Sequence, residues 1–168
     1  MDVTIDGRER KIVAQPGKQG WLYVFDRVTG EPIWPIPEVP VPQTDVPGER
    51  TAATQPMPTK PPPFSRTHLA ADDVIDFTPE LRAQAMENLA KYRWEEIAYI
   101  PHVGPGSEYL GSINVGTTLG GINWPGASFD PETGIFYGQA HNSQIRSTKF
   151  TQEYFDTVKP ETQAANRI

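Results

Sequence analysis

The side chains of this chain that could do chemistry are scattered rather than grouped. His68, His102 and His141 stand far apart and share no ligand spacing, so each reads as a loop or surface histidine. Asp72, Asp73 and Asp76 crowd together ahead of a predicted helix. No EF-hand pattern accompanies them, and compensation of the positive helix end accounts for their charge. Ser107, in "GPGSEYLG", lacks the strand–elbow–helix setting of a nucleophile. With no cysteine, disulfides and thiolate metal sites are excluded, and no metal site is predicted. Three residues remain. Lys18, in "PGKQG", reads on residue type alone as an exposed hairpin lysine. Asn123, in "GGINWPG", suits a turn beside Gly120 and Gly121. Trp124 next to it suits either an apolar core or a pocket wall.

The elements that must position these residues are mostly strands. Residues 10–16, "RKIVAQP", and 20–26, "GWLYVFD", predict two short strands around a Gly-flanked hairpin loop. "DRVTGE" supplies the next turn and "EPIW" a third strand. Further strands are predicted at 98–101 and 126–138. One helix is predicted over 78–95, with Thr78 as N-cap, Pro79 at its first position and Glu80 in the first turn. Its stripe of Leu81, Ala85, Leu89 and Tyr92 predicts packing against the rest of the fold. Prolines crowd between Pro32 and Pro63, and 37–66 is expected to carry little regular structure.

Composition narrows the class. The chain has 168 residues and a net charge of -6, with no basic stripe, which argues against a nucleic-acid partner. No apolar run reaches the roughly 18 residues of a membrane span, and "MDVTIDGRERK" has no apolar segment of the secretory type. The pattern F-D-x-x-T-G occurs twice, in "FDRVTGEP" (25–32) and "FDPETGIF" (129–136). Each copy comes after apolar strand residues and leads into another strand, the mark of a radial or stacked repeat fold. The organisation expected is a single partial propeller domain over 1–168. Its parts are first-blade strands at 1–36, a proline-rich loop at 37–77, the helix at 78–96, next-blade strands at 97–150 and a trailing loop at 151–168.

The stretch "GKQGWLYVFDRVTGEPIWPIPEVPVPQTDVPGERTAATQPMPTKPPPF" resembles the pyrroloquinoline quinone (PQQ) dependent quinoprotein dehydrogenases, in their glucose-dehydrogenase-like branch. "GGINWPGASFDPETGIFY" is similar to a second signature of the same group. The resemblance implies an all-β fold, an eight-bladed β-propeller, of which this chain would supply about two or three blades with a proline-rich insertion and one helix. It implies that Asp26 to Trp34 is a tryptophan docking motif, whereas the second copy has Gly138 where the tryptophan belongs. It implies PQQ as cofactor, with Ca²⁺ in the complete enzyme, a sugar or alcohol as substrate, and ubiquinone or another electron acceptor. The remaining propeller blades would be partners, and the location periplasmic or facing the periplasm. Lys18 matches the family's basic residue at the quinone oxygens, where a fixed ammonium stabilises developing charge. Asn123 and Trp124 are carried over as further cofactor contacts. The family's aspartate base and Ca²⁺ ligands lie upstream of the matching segment, so this stretch alone is expected to be inactive. The competing reading is a non-catalytic propeller-like binding or assembly module.

Overall fold

The computed structural model of the chain describes residues 1–94, 98–115, 120–122, 126–142 and 144–153. The element order is β1 (Asp2–Ile5), β2 (Arg8–Pro16), β3 (Leu22–Asp26), β4 (Glu38–Pro40), β5 (Thr54–Pro56), a 3-10 turn (Ala71–Asp73), α1 (Pro79–Leu89), β6 (Gly111–Val115), β7 (Ala127–Asp130), β8 (Ile135–Gly138) and β9 (Gln144–Thr148). The strands form small sheets: β1-β2-β3, β4-β5, β6-β9 and β7-β8. The chain divides into two compact units. One comprises Met1–Val39, Thr54–Thr67 and Val115–Ser143, the other Pro40–Ala53, His68–Asn114 and Gln144–Ile168.

In the first unit, β1 and β2 pair antiparallel across the two-residue loop Asp6-Gly7. Both loop residues take positive φ, 50° and 73°, as in the primed turns that match strand twist. β1 lies outside the strands expected from the sequence, because "MDVTIDGRERK" is polar. It is a hairpin edge strand with one face half-buried, and Asp-Gly is the sequence feature that marks it. β2 pairs with β3 from Ile12↔Asp26 to Pro16↔Leu22. Alternation along these strands turns Ile12, Leu22 and Val24 inward to form a buried cluster. Ile33, Trp34, Phe64 and Phe136 pack against it, with Phe64 and Phe136 edge to face at 5.8 Å. The expected strand at "EPIW" does not form. Only the bridge Phe25↔Pro32 and the bond from Ile33 N–H to the Val24 carbonyl (2.9 Å) continue the sheet. Pro32 and Pro35 have no N–H to extend the ladder.

The two Asp-x-x-Thr-Gly copies fold into matching loops. Asp26 Oδ1 accepts from Val28 N–H (2.8 Å) and Thr29 N–H (3.0 Å), and Gly30 N–H donates to the Asp26 carbonyl (2.8 Å). Asp130 Oδ1 accepts from Glu132 N–H (2.9 Å), Thr133 Oγ1 donates to Asp130 Oδ2 (2.6 Å), and Gly134 N–H donates to the Asp130 carbonyl (2.9 Å). Gly30 and Gly134 both have positive φ, 79° and 70°. Each loop thus uses its own aspartate as an internal template.

In the second unit, Thr78 caps α1, its hydroxyl accepting from Leu81 N–H at 3.2 Å. The helix ends at Leu89, earlier than the expected 95. The backbone of 91–93 is diverted to β6: Leu110 N–H donates to the Lys91 carbonyl, Arg93 N–H to that of Gly111, and Ile113 N–H to that of Arg93. Of the expected stripe only Leu89 is buried, and Leu81 is exposed. No strand forms at 98–101; Ala98, Ile100 and Val103 are buried without one. Residues 37–66 contain only the short β4 and β5, as expected of a proline-rich arm.

Candidate functional site

Lys18 lies in the loop between β2 and β3. Gly17 N–H donates to the Trp21 carbonyl (2.9 Å), which closes the loop, and Gly20 N–H donates to the Gly17 carbonyl (3.1 Å), which makes the turn within it. Gly20 has φ +87°, a backbone that glycine adopts without strain. The Lys18 side chain is exposed, and its ammonium has no partner among the described residues. Its backbone is not loose, however. Gly121 N–H donates to the Lys18 carbonyl at 2.6 Å, and the Gly121 carbonyl accepts from His141 N–H at 2.8 Å.

A third segment meets the first two. Phe64 N–H donates to the Gly20 carbonyl (2.9 Å), and Arg66 N–H donates to Asn142 Oδ1 (2.7 Å). Ser65 between them is 5% exposed. The contact is too close for side chains on the facing glycines: a Cβ on Gly20 or on Gly121 would collide with Ser65 Oγ, and one on Gly121 would lie 2.9 Å from both Cα and N of Gly20. Two buried polar atoms here, Ser65 Oγ and Trp21 Nε1, lack a hydrogen-bond partner among the described residues. Each such atom costs about 1–3 kcal/mol. They lie beside, and at the base of, the turn that carries Lys18.

The structure therefore brings the Lys18 loop against the start of the "GGINWPG" segment through Gly121. Asn123 and Trp124 lie outside the described residues. His102 packs edge to face on Phe150 at 5.6 Å. His141 takes part near Lys18 through its backbone N–H. Asp73 accepts from Ala70 N–H at 3.0 Å, a turn-forming role. Among the described residues no group of three His, Asp or Glu side chains could hold a metal ion. An open groove of about 830 Å³ between the β1-β2 hairpin and the 131–134 loop is lined by Asp2, Glu9, Arg10 and Lys11, and none of the candidate residues borders it. Residue reading alone missed Ser65. It sits in "PPPFSRT", where nothing distinguishes it from an arm serine.

Hydrogen bonding tunes carboxylates in the two loops and at the helix start. The Thr29 and Val28 backbone N–H groups hold the Asp26 carboxyl below the usual range. The Thr133 hydroxyl, then the Glu132 N–H, do the same for Asp130. Glu80 is lowered by its own backbone N–H and by Thr78. These carboxylates are poised as ionised hydrogen-bond acceptors, which is a fold-holding role.

The family described as "PQQ: Glucose/ethanol/alcohol dehydrogenase, beta-propeller domain" matches residues 1–167. The chain is 32% identical over 126 residues to the quinate/shikimate dehydrogenase (quinone) of Acinetobacter baylyi, covering 75% of this chain and 15% of that protein. It is 29% identical over 154 residues to the glycerol dehydrogenase large subunit of Gluconobacter thailandicus, covering 91% and 20%. It is 29% identical over 131 residues to the quinoprotein glucose dehydrogenase of Escherichia coli, covering 77% and 16%. The chain thus spans between 15% and 20% of the length of these relatives. No solved structure gives a significant match. The strand-rich architecture of small sheets with one helix agrees with part of a β-propeller.

Proposed function

The chain belongs to the PQQ-dependent glucose/ethanol/alcohol dehydrogenase β-propeller family, and from that premise we propose that it serves as one segment of a dehydrogenase oxidising a sugar or alcohol. In this reading Lys18 is the residue of the chain that meets the cofactor, with Asn123 and Trp124 as further contacts. When bound, PQQ supplies the hydride-accepting quinone. Lys18 would supply a positive charge to the oxygens that become negative in the reaction. The observation that carries the reading is the state of Lys18. Its backbone is pinned by Gly121 and by the closed Gly17–Trp21 loop, while its ammonium has no partner among the described residues.

The residues present fit a group rich in acceptor oxygens. Trp21 Nε1, at the base of the Lys18 turn, is a buried donor with no partner among the described residues. A quinone electron acceptor, Ca²⁺ held by other parts of the enzyme, and a periplasm-facing location belong to the same proposal. The word quinone in the name of the quinate/shikimate relative supports the acceptor.

The test is substitution of Lys18 in the full-length enzyme, with dye-linked turnover and PQQ titration as readouts. Lys18→Ala is expected to lower kcat by about 10²–10³-fold, the scale of one lost oxyanion donor. Lys18→Arg is expected to keep part of the rate, since it retains charge but changes geometry. An unchanged rate in Lys18→Ala would remove Lys18 from the site.

A further inference from the structure

We infer that Ser65 is a positioning residue for Lys18, with its hydroxyl packed against both the Lys18 turn and the 120–122 segment. The inference rests on the reading of Lys18 given above. Ser65 is 5% exposed, and its Oγ has no hydrogen-bond partner among the described residues. A buried hydroxyl in that state works against folding, and alanine would remove the liability. A buried hydroxyl without a partner calls for a specific explanation.

The geometry says what this one does. Ser65 is pinned on both sides, by Phe64 N–H on the Gly20 carbonyl and by Arg66 N–H on Asn142 Oδ1. These bonds hold the Ser65 backbone in place. Its Oγ lies where Gly20 and Gly121 approach, and neither glycine has room for a Cβ beside it. Gly121 in turn holds the Lys18 carbonyl at 2.6 Å. Ser65 Oγ thus abuts the backbones of both glycines, and one of them carries Lys18 in its turn. Without that oxygen the corner beside the two glycines is left unfilled and the turn can shift into it. Small displacements of a charge-stabilising group are costly in rate even when the fold survives.

The experiment compares Ser65→Ala with Lys18→Ala in the full-length enzyme. Three quantities are read: the melting temperature of the cofactor-free protein, PQQ affinity by fluorescence titration in the presence of Ca²⁺, and kcat and KM with a fixed alcohol or sugar substrate. Ser65→Ala is expected to leave the melting temperature unchanged or raised. PQQ affinity and kcat should each fall about tenfold, with KM for the substrate nearly unchanged. If Ser65→Ala keeps PQQ affinity and kcat while Lys18→Ala loses them, Ser65 does not position Lys18 and the Lys18 reading stands. A melting temperature that falls with the rate makes Ser65 a packing residue and overturns the inference. If Lys18→Ala keeps full PQQ affinity and rate, the Lys18 reading itself fails, and the inference with it.

Discussion

Gly121 donates its N–H to the Lys18 carbonyl at 2.6 Å, so a residue of the second sequence signature holds the turn that defines the first. The bond comes with a steric condition. A Cβ on Gly121 would lie 2.9 Å from Gly20 Cα and would collide with Ser65 Oγ. Backbone atoms of Gly20 cannot yield as a flexible side chain would. Gly121→Ala should therefore push the two segments apart and break the bond to Lys18. Overpacking of this kind costs about 1–3 kcal/mol. A chemical-denaturation midpoint within error of wild type would show that the two segments are not in close contact.

The Asp-x-x-Thr-Gly loops give a pH-dependent prediction. Asp26 is held below its ordinary pKa by the Thr29 and Val28 N–H groups, and Asp130 by the Thr133 hydroxyl and the Glu132 N–H. A depressed carboxylate contributes stability above its unfolded pKa and loses it as pH falls through the folded one. Asp26→Asn and Asp130→Asn should each melt below wild type at neutral pH. The gap should close in the window below the ordinary carboxylate value, about pH 4. Melting curves from neutral to acid pH check this. A gap that stays constant with pH would mean that the carboxylate charge does not hold the loop.

These loops were legible in the sequence because their bonding is local. Asp26 reaches Val28 and Thr29, and Asp130 reaches Glu132 and Thr133, within three residues. The helix start was legible for the same reason, since Thr78 caps Leu81. Its end was not, because 91–93 bond to β6, and no local preference announces a partner some twenty residues on. Ile100 and Val103 carry the apolar pattern of a strand but are buried in irregular chain. Lys18 could be picked out as a loop lysine between strands. Ser65 could not, because its role arises only where residues from three distant stretches close on one another.

The cap itself is testable. Thr78 is the side-chain acceptor for α1, a helix with only Leu89 buried. With so little packing to anchor it, the helix depends more than most on its first turn. Thr78→Ala should destabilise the helix by about 1 kcal/mol. Amide hydrogen exchange across 79–84 should accelerate accordingly, whereas β2 and β3 should be unaffected. Equal acceleration in both regions would mean that the helix does not open by itself.

Gly138 stands where the first repeat has Trp34, and the structure gives the reason. A Cβ at Gly138 would fall 2.6 Å from Ile122 Cδ1, 3.2 Å from Ile122 Cγ1 and 3.4 Å from Phe64 Cδ1. Ile122 is fully buried, so its side chain has little room to move away. Trp34, in contrast, packs on the Ile12, Leu22 and Val24 cluster from its half-buried position. The two copies therefore share a loop and diverge beyond it: one delivers an aromatic ring, while the other gives up its side chain to Ile122. Gly138→Ala should cost about 1–3 kcal/mol by overpacking. Ile122→Val removes Cδ1 and by itself should cost about 0.5–1.5 kcal/mol. Together the two changes should cost less than their sum, because the shortened side chain makes room for the new methyl. A double-mutant cycle on denaturation free energies measures this coupling, and the expected value is at least about 0.5 kcal/mol in the compensating direction. Strict additivity would mean that Ile122 does not fill the space over Gly138, and the missing tryptophan would then need another cause.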